Sequence, residues 1–579
     1  MQTSRTSAPK KTGTGPSRSA GHRRPYLAFG VAALAALILY LPTLQYGFVW
    51  DDNTLVVNNP SLNRTNPLDL FARGFWNNPE TERSRNDVAY YRPLSNLSLY
   101  VDHEVWGLRP SGYHLTNVII NAAVVLFTCL LLWELFGSVW PAVLGGLLVG
   151  IHPAMNCVVT FVSNRTYLLA LFFLLTGSYA LLRGRRDRGR VWPVLFGVSL
   201  LLSTLALESS LVFAAVAAAW LFVNRTRYRK LRSWLSAAVL PIACYLLLRF
   251  GIARVPFASS VMSQAITEPL QVLNTFGQQL QLLLFPFNQK VIYVADTPFT
   301  GFSVYTVLGL LFLGLPLYAV IRLGRRRRRT EDGGRRTEVG GMQNLRPDPE
   351  AVRLGWYGYA WMVLFLLPFA HLVFLGPAGR MLYLAAPGAV MLLAALYATS
   401  HQTQSTVRVV LGAVLLYTAA CAVQTLRRNP IWRDELSMSK AMVREAPGSV
   451  IGHLHYGLAL TQAGEKQGAT EQFRAAVAIS PDDAGPHVSL AFALIDQGDL
   501  PDAIRELREV VRLEPESPKA RNDLGVALMR IGRLDSAIAE YREALRLDPN
   551  SDVVRRNLAM ACRKAGMPDS SAQTQGNQR

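Results

Sequence analysis

Apolar windows of roughly 17 to 25 residues, each able to cross about 30 Å of hydrocarbon as a helix, recur along the first three quarters of the chain. They fall at 27–47, 114–135, 140–153, 158–182, 191–207, 209–223, 235–250, 301–321, 355–375, 380–398 and 407–424, the fifth and sixth being short. This pattern predicts a polytopic helical bundle of about eleven spans. Two longer polar stretches interrupt it, at 48–113 and 251–300. Within the second, FGQQLQLLLFPF at 276–287 has the periodicity of an amphipathic or re-entrant segment ended by Pro286.

After about residue 440 the hydropathy collapses and a 34-residue period replaces it. Pro481, Pro515 and Pro549 are 34 apart, as are Gly464, Gly498 and Gly532, then Ala469, Ala503 and Ala537, and finally Ala459, Ala493, Ala527 and Ala561. Small residues at helix crossings, Gly at the inter-helix turn and Pro after the second helix make the tetratricopeptide pattern. Each repeat buries its apolar face against its neighbours. The expected organisation is therefore all-α: a basic disordered tail at 1–24, a membrane domain at 25–424 with its outer loop at 48–113, a linker at 425–446, repeats at 447–565 and a disordered tail at 566–579.

Charge sets the sidedness. The 579 residues carry 59 Lys and Arg against 39 Asp and Glu, a formal net charge of +20, while only 17% are charged. The runs RGRRDRGR at 183–190, NRTRYRKLR at 224–232 and RLGRRRRRTEDGGRR at 322–336 all fall on the side of the N-terminus. With that side cytoplasmic, the positive-inside rule is met at each informative loop, the first apolar run is an uncleaved span, and the repeats lie on the outer face. Because the basic residues sit in short loops rather than on one amphipathic domain, the excess reads as topology and no nucleic-acid partner is expected. Five cysteines at 129, 157, 244, 421 and 562 show neither a disulfide framework nor a zinc spacing. Ionisable residues cluster at span ends, which disfavours a transporter.

Those span ends hold the candidate chemistry. Asp51 and Asp52 stand just past the first apolar run, in YGFVWDDNTL at 46–55, where a carboxylate can serve as general base. Each is equally suited to capping a helix or pairing with Arg92. Arg92, Arg165 and Arg380 come to the same boundary, where a guanidinium suits bidentate contact with phosphate or simple snorkelling. His114, His152 and Glu208 lie on that face too, histidines at span ends being more often hydrogen-bonding ties than catalysts.

Together these fragments resemble the integral-membrane glycosyltransferases of the GT-C class, and within it the transmembrane-and-tetratricopeptide-repeat O-mannosyltransferases and their bacterial relatives. The resemblance rests on Asp51-Asp52 followed by Asn59-Pro60-Ser61-Leu62, then Tyr91-Arg92-Pro93-Leu94 with Gly107, Pro110, His114 and Asn117. It continues through His152-Pro153 with Arg165 and Leu168-Leu169, Leu284-Phe285-Pro286, and Arg380 with Tyr383, to the stretch from Thr425 to Glu435 that leads into the repeats. Three positions depart from the family: Cys157 and Gly379 stand where it has Glu, and Leu207 where it has Lys.

The resemblance implies transfer of a sugar, mannose among the candidates, from a polyprenyl-phosphate donor to an acceptor hydroxyl on protein at the extracytoplasmic face. It implies Asp51 or Asp52 as the base, and Arg380 with Arg165 or Arg92 as partners of the departing lipid phosphate. No metal or cofactor is expected. The repeats would recruit an acceptor or partner, and the Arg- and Ala-rich composition favours a bacterial inner membrane with periplasmic repeats. The competing reading is a non-catalytic membrane anchor displaying a tetratricopeptide scaffold for envelope assembly, in which the Asp pair is dispensable.

Overall fold

A computed structural model describes residues 24–63, 66–75, 90–187, 189–225, 228, 231–255, 269–287, 289–291, 303–315, 349–366, 379–399 and 404–567. The tails at 1–23 and 568–579, the basic run 322–336 and most of the loop between 256 and 302 lie outside the described residues. Helix is present at every one of the expected apolar runs. In the first part of the chain these are α1 (Arg24–Tyr40), α2 (Pro93–Trp106), α3 (Pro110–Phe136), α4 (Val139–Ile151), α5 (Asn156–Thr160), α6 (Arg165–Arg186), α7 (Val191–Ala206), α8 (Leu211–Val223) and α9 (Leu231–Leu246). There follow α10 (Pro269–Leu284), α11 (Val304–Leu315), α12 (Pro349–Leu366), α13 (Gly379–Thr399) and α14 (Gln404–Arg428). Among the described residues, six helical stretches are long and apolar enough to cross a membrane: Pro25–Gln45, Pro110–Phe136, Val162–Arg186, Leu231–Ile252, Gly379–Ala398 and Gln404–Trp432. A seventh is the pair Val139–Ile151 and Pro153–Thr160, bent by 43°. Pro153 supplies the break, because its ring cannot continue the helix and it carries no N–H to donate. The remaining apolar helices are shorter than a full crossing within the described residues.

The bundle is organised around α3, which packs against α1, α4 and α6. Small residues let backbones close up where lipid gives no hydrophobic drive to associate. A Cβ on Gly358 would lie 2.7 Å from the Gly388 carbonyl oxygen, and one on Gly388 would lie 2.6 Å from that of Gly358. This contact locks α12 to α13. The amphipathic stretch expected at 276–287 begins earlier, as α10, and ends at Leu284, with Phe285 and Phe287 exposed.

The repeats form an α-solenoid: α15 (Glu435–Glu445), then antiparallel pairs α16 (Val450–Gln462) and α17 (Lys466–Ile479), α18 (Ala484–Gln497) and α19 (Leu500–Leu513), α20 (Pro518–Arg530) and α21 (Leu534–Leu547), closed by α22 (Asp552–Lys564). Gly464, Gly498, Gly532 and Gly566 take φ of +81°, +86°, +78° and +70°, a conformation that opens the turn after each first helix and suits only glycine without strain. A second 34-residue ladder escaped the sequence reading. Ser449, Asp483, Ser517 and Ser551 each accept a backbone N–H as the N-cap of a repeat's first helix. Small residues set the helix spacing within a pair, since a Cβ on Gly457 would lie 2.5 Å from Phe473 and one on Gly525 2.7 Å from Tyr541.

The stretch 425–446, expected as a linker, is a docked helical corner. α14 continues to Arg428, a short turn spans Asn429–Trp432, and α15 follows. Buried Trp432 stacks on Phe161 at 5.6 Å between ring centroids, and Thr425 Oγ1 donates to the Ile151 carbonyl at 2.7 Å. Arg428 pairs with Glu445 at 3.2 Å, and Glu445 also accepts the Val291 N–H at 2.8 Å. Ring stacking, an ion pair and backbone bonds thus fix the first solenoid helix to the bundle.

Candidate active site

The N-terminal turn of α6 brings together Asp52 and Arg165, two of the residues singled out in the sequence. Ser163 donates its backbone N–H to Asp52 Oδ1 at 2.7 Å, while Asp52 Oδ2 accepts the Val49 N–H at 3.3 Å. Asp52 is fully buried, and Asp51 beside it is half-buried. Burial pushes the Asp52 carboxyl up to about 7, against the pull of those two N–H donors, with the charge on Asp51 adding a smaller push. The sequence left the two acids equivalent; the fold makes Asp52 the inner member that ties the loop to α6, and Asp51 the outer one.

Two residues further on, Arg165 is sealed inside the protein. It forms an ion pair with Asp102 at 2.5 Å and donates to Asn117 Oδ1 at 2.7 Å, to the Tyr113 carbonyl at 2.8 Å and to Ser98 at 3.2 Å. Its guanidinium faces protein acceptors on α2 and α3 and holds those helices to α6. Nothing in the sequence pointed to Asp102, which stands 63 residues away from its partner.

Arg92 occupies a different setting. Its Nε donates to Glu208 Oε2 at 2.8 Å, and Glu208 Oε1 accepts the Tyr91 N–H at 2.7 Å. Arg249 lies 3.8 Å from the same carboxylate. The guanidinium of Arg92 sits over the rings of Tyr90, 4.1 Å from its centroid, and Phe75, at 5.2 Å. Two cations thus share one carboxylate just past the C-terminal end of α7. Arg380, at the start of α13, reaches the same neighbourhood: burial raises the Tyr90 phenol while the charges of Arg92 and Arg380 both pull it down.

The two histidines serve as hydrogen-bonding ties. His114 Nε2 lies 3.3 Å from the Gly47 carbonyl, with its ring edge-on to Tyr46. His152, at the break between α4 and α5, lies 3.1 Å from the Leu283 carbonyl and 3.4 Å from the Tyr417 hydroxyl. Two of the family departures, Cys157 and Gly379, are neighbours: a Cβ on Gly379 would collide with the Ala154 carbonyl oxygen and lie 3.5 Å from Cys157 Sγ. Leu207 is buried beside Glu208.

Chemically, the arrangement offers a half-buried carboxylate on a turn fixed by a buried one, and cations gathered near an aromatic face at the same end of the bundle. Comparison with known proteins fits the sequence resemblance. A family model described as a tetratricopeptide repeat matches residues 489–552. Protein O-mannosyl-transferase TMTC3 of Homo sapiens is 32% identical over 182 residues, 31% of this chain and 20% of the relative. Protein O-mannosyl-transferase F38B6.6 of Caenorhabditis elegans is 28% identical over 214 residues, 36% of this chain and 29% of its own length. Among solved structures, the crystal structure of MamA is 20% identical, with 24% of this chain and 81% of that one covered and a TM-score of 0.23. The chain spans less than a third of the length of these O-mannosyl-transferases. It is a multi-pass membrane protein with a tetratricopeptide solenoid, and the family it resembles is that of the transmembrane-and-tetratricopeptide-repeat protein O-mannosyl-transferases.

Proposed function

We propose that this protein transfers a sugar from a polyprenyl-phosphate donor to a hydroxyl of a protein acceptor, at the face of the membrane that carries the solenoid. The observation that carries the reading is how the start of α6 holds both the acid-bearing turn and the helix behind Arg92. Ser163 binds Asp52, and Arg165 binds Ser98 and Asp102 of α2, the helix that Arg92 precedes. Asp51, the half-buried acid on the fixed turn, takes the proton from the acceptor hydroxyl as that oxygen bonds to the anomeric carbon of the sugar. The bond from that carbon to the phosphate oxygen breaks, and the lipid phosphate leaves carrying the negative charge. Arg380 and Arg92 meet this charge as it develops, and guanidinium suits a phosphate because its fork donates to two oxygens at once. Asp52 holds the turn. The relatives' names supply the acceptor class and mannose as the first sugar to try. An inner-membrane location in a bacterium, with the repeats periplasmic, accords with the basic loops on the opposite side.

The test is sugar transfer in membranes supplied with labelled polyprenyl-phosphate sugars, comparing wild type, Asp51→Asn and the Asp51→Asn/Asp52→Asn double variant at equal expression. Loss of at least a hundredfold in both variants is expected, from removal of a general base. Transfer unchanged in the double variant would sink the assignment of the base. No transfer from any donor by the wild type would leave the scaffold reading in its place.

A further inference from the structure

The turn bearing Asp51 is held from two sides, and only one of them belongs to the membrane bundle. From within, Ser163 and Val49 bind Asp52. From the solenoid, Glu435 at the start of α15 accepts the Trp50 backbone N–H on Oε2 at 2.7 Å, and the carbonyl of Arg433 accepts the Gly47 N–H at 2.8 Å. The other oxygen of Glu435 lies 3.4 Å from His455 Nδ1 on α16, and the His455 ring packs on the Trp50 indole at 5.1 Å between centroids. Trp50 needs such support, since its φ of +47° is a left-handed conformation that a bulky residue adopts at a cost of order 1 kcal/mol or more. A bond donated to a carboxylate is among the stronger ones available to a backbone N–H. Glu435 is in turn fixed, because α15 is anchored to the bundle through Trp432, Arg428 and Glu445.

We propose that Glu435 and His455 are positioning residues for Asp51: the first helices of the solenoid complete the acid-bearing turn, so that what the solenoid binds is coupled to the geometry of the site. As an assignment of roles in catalysis this rests on the transferase reading above; as a statement about the turn it does not. Glutamine can keep the Trp50 contact through its carbonyl, and its amide can donate to His455 Nδ1 once that ring carries its proton on Nε2 instead. Alanine replaces neither.

The experiment is hydrogen exchange of the backbone segment 46–53 in the purified full-length protein, for wild type, Glu435→Gln and Glu435→Ala, with transfer kinetics on the same samples. Glu435→Ala is expected to exchange that segment about ten- to a hundredfold faster, the loss of one bond to a charged acceptor, while Glu435→Gln stays near wild type. Exchange in α1, α3 and α6 serves as the internal control, because a general loss of folding would raise those too. In kinetics, Glu435→Ala should lower kcat with the donor KM unchanged, and Glu435→Gln should restore most of the rate. Exchange at 46–53 in Glu435→Ala equal to wild type overturns the proposal, as does a rise shared with the internal controls. Were the Asp variants to retain full transfer while Glu435→Ala still loosened the turn, the assignment of the base would fall and the latch would stand.

Discussion

Asp52 is a carboxylate with no exposure to solvent, and replacing it with Asn should change how the stability of the protein depends on pH. Its acid form is favoured in the fold, burial pushing the carboxyl from the usual Asp range up to about 7. The unfolded chain therefore releases this proton at lower pH than the folded one. The sign follows: the stability associated with the protonated group is complete below about pH 4, is lost as pH rises towards 7, and stays flat above that. At 1.36 kcal/mol for each pH interval in which only the unfolded state is ionised, wild type loses roughly 2 to 3 kcal/mol between pH 5 and pH 8 that the Asn variant does not. Asp52→Asn keeps a carbonyl oxygen for Ser163 but turns an NH2 towards Val49, a pH-independent cost of about 1 kcal/mol. The assay is denaturant unfolding in mild detergent at pH 5, 6, 7 and 8, reading the gap between the two proteins so that every other titrating group cancels. The Asn variant should gain on wild type as pH rises. Parallel curves would refute the reasoning, because they would mean that Asp52 ionises in the fold as it does in water.

Arg165→Ala should cost about 3 to 5 kcal/mol, leaving Asp102 buried without its cation, and should appear as a lowered thermal midpoint and yield. A variant that folded normally and lost only donor affinity would instead put Arg165 in contact with the phosphate. Gly379→Ala forces a methyl group into the Ala154 carbonyl, which is backbone and cannot swing away, so a loss of about 1 to 3 kcal/mol is expected in the same unfolding assay. An unchanged midpoint would show that α13 and the bend after Pro153 are not in contact. Gly525→Ala would press on the ring of Tyr541 and should destabilise the solenoid by a similar amount, read by limited proteolysis of residues 515–565, with normal resistance counting against the packing.

The periodicities in the sequence carried the architecture because each is repeated or long: apolar runs, of which six, or seven with the bent pair, are crossing-length helices among the described residues, and a 34-residue period whose glycines occupy the positive-φ turns. The capping ladder at Ser449, Asp483, Ser517 and Ser551 was equally periodic and was missed only because polar residues at helix starts are less conspicuous than Gly and Pro. Single long-range contacts were not legible. Asp102 looks like any polar residue in a loop until α2 and α6 pack, and nothing around Glu435, at the end of the stretch that leads into the repeats, says that it reaches Trp50, 385 residues earlier. The distinction between Asp51 and Asp52 was likewise hidden, since it depends on which of two adjacent carboxylates turns towards the backbone of Ser163. The break after Ile151, by contrast, was readable from Pro153, whose chemistry is local.

Cys157 and Gly379, separate departures from the family in the sequence, become one feature in the fold. The start of α13 lies against the bend after Pro153 so closely that position 379 has no room for a side chain, and Cys157 faces the same spot. Glutamates at both positions would place two carboxylates together beside Arg380, and the second could enter only if α13 moved away from Ala154. Losing both acids removes their competition for the guanidinium, and Cys157 is left in the field of Arg380 and Arg428. The charge at this end of the site therefore shifts towards the positive, which favours a ligand group that itself brings negative charge. Leu207 removes a cation next to Glu208, where Arg92 and Arg249 already share one carboxylate. The three departures thus move positive charge away from the Glu208 side and towards the Arg380 side, which under the proposed transferase reading is the side where the leaving phosphate would find the stronger attraction.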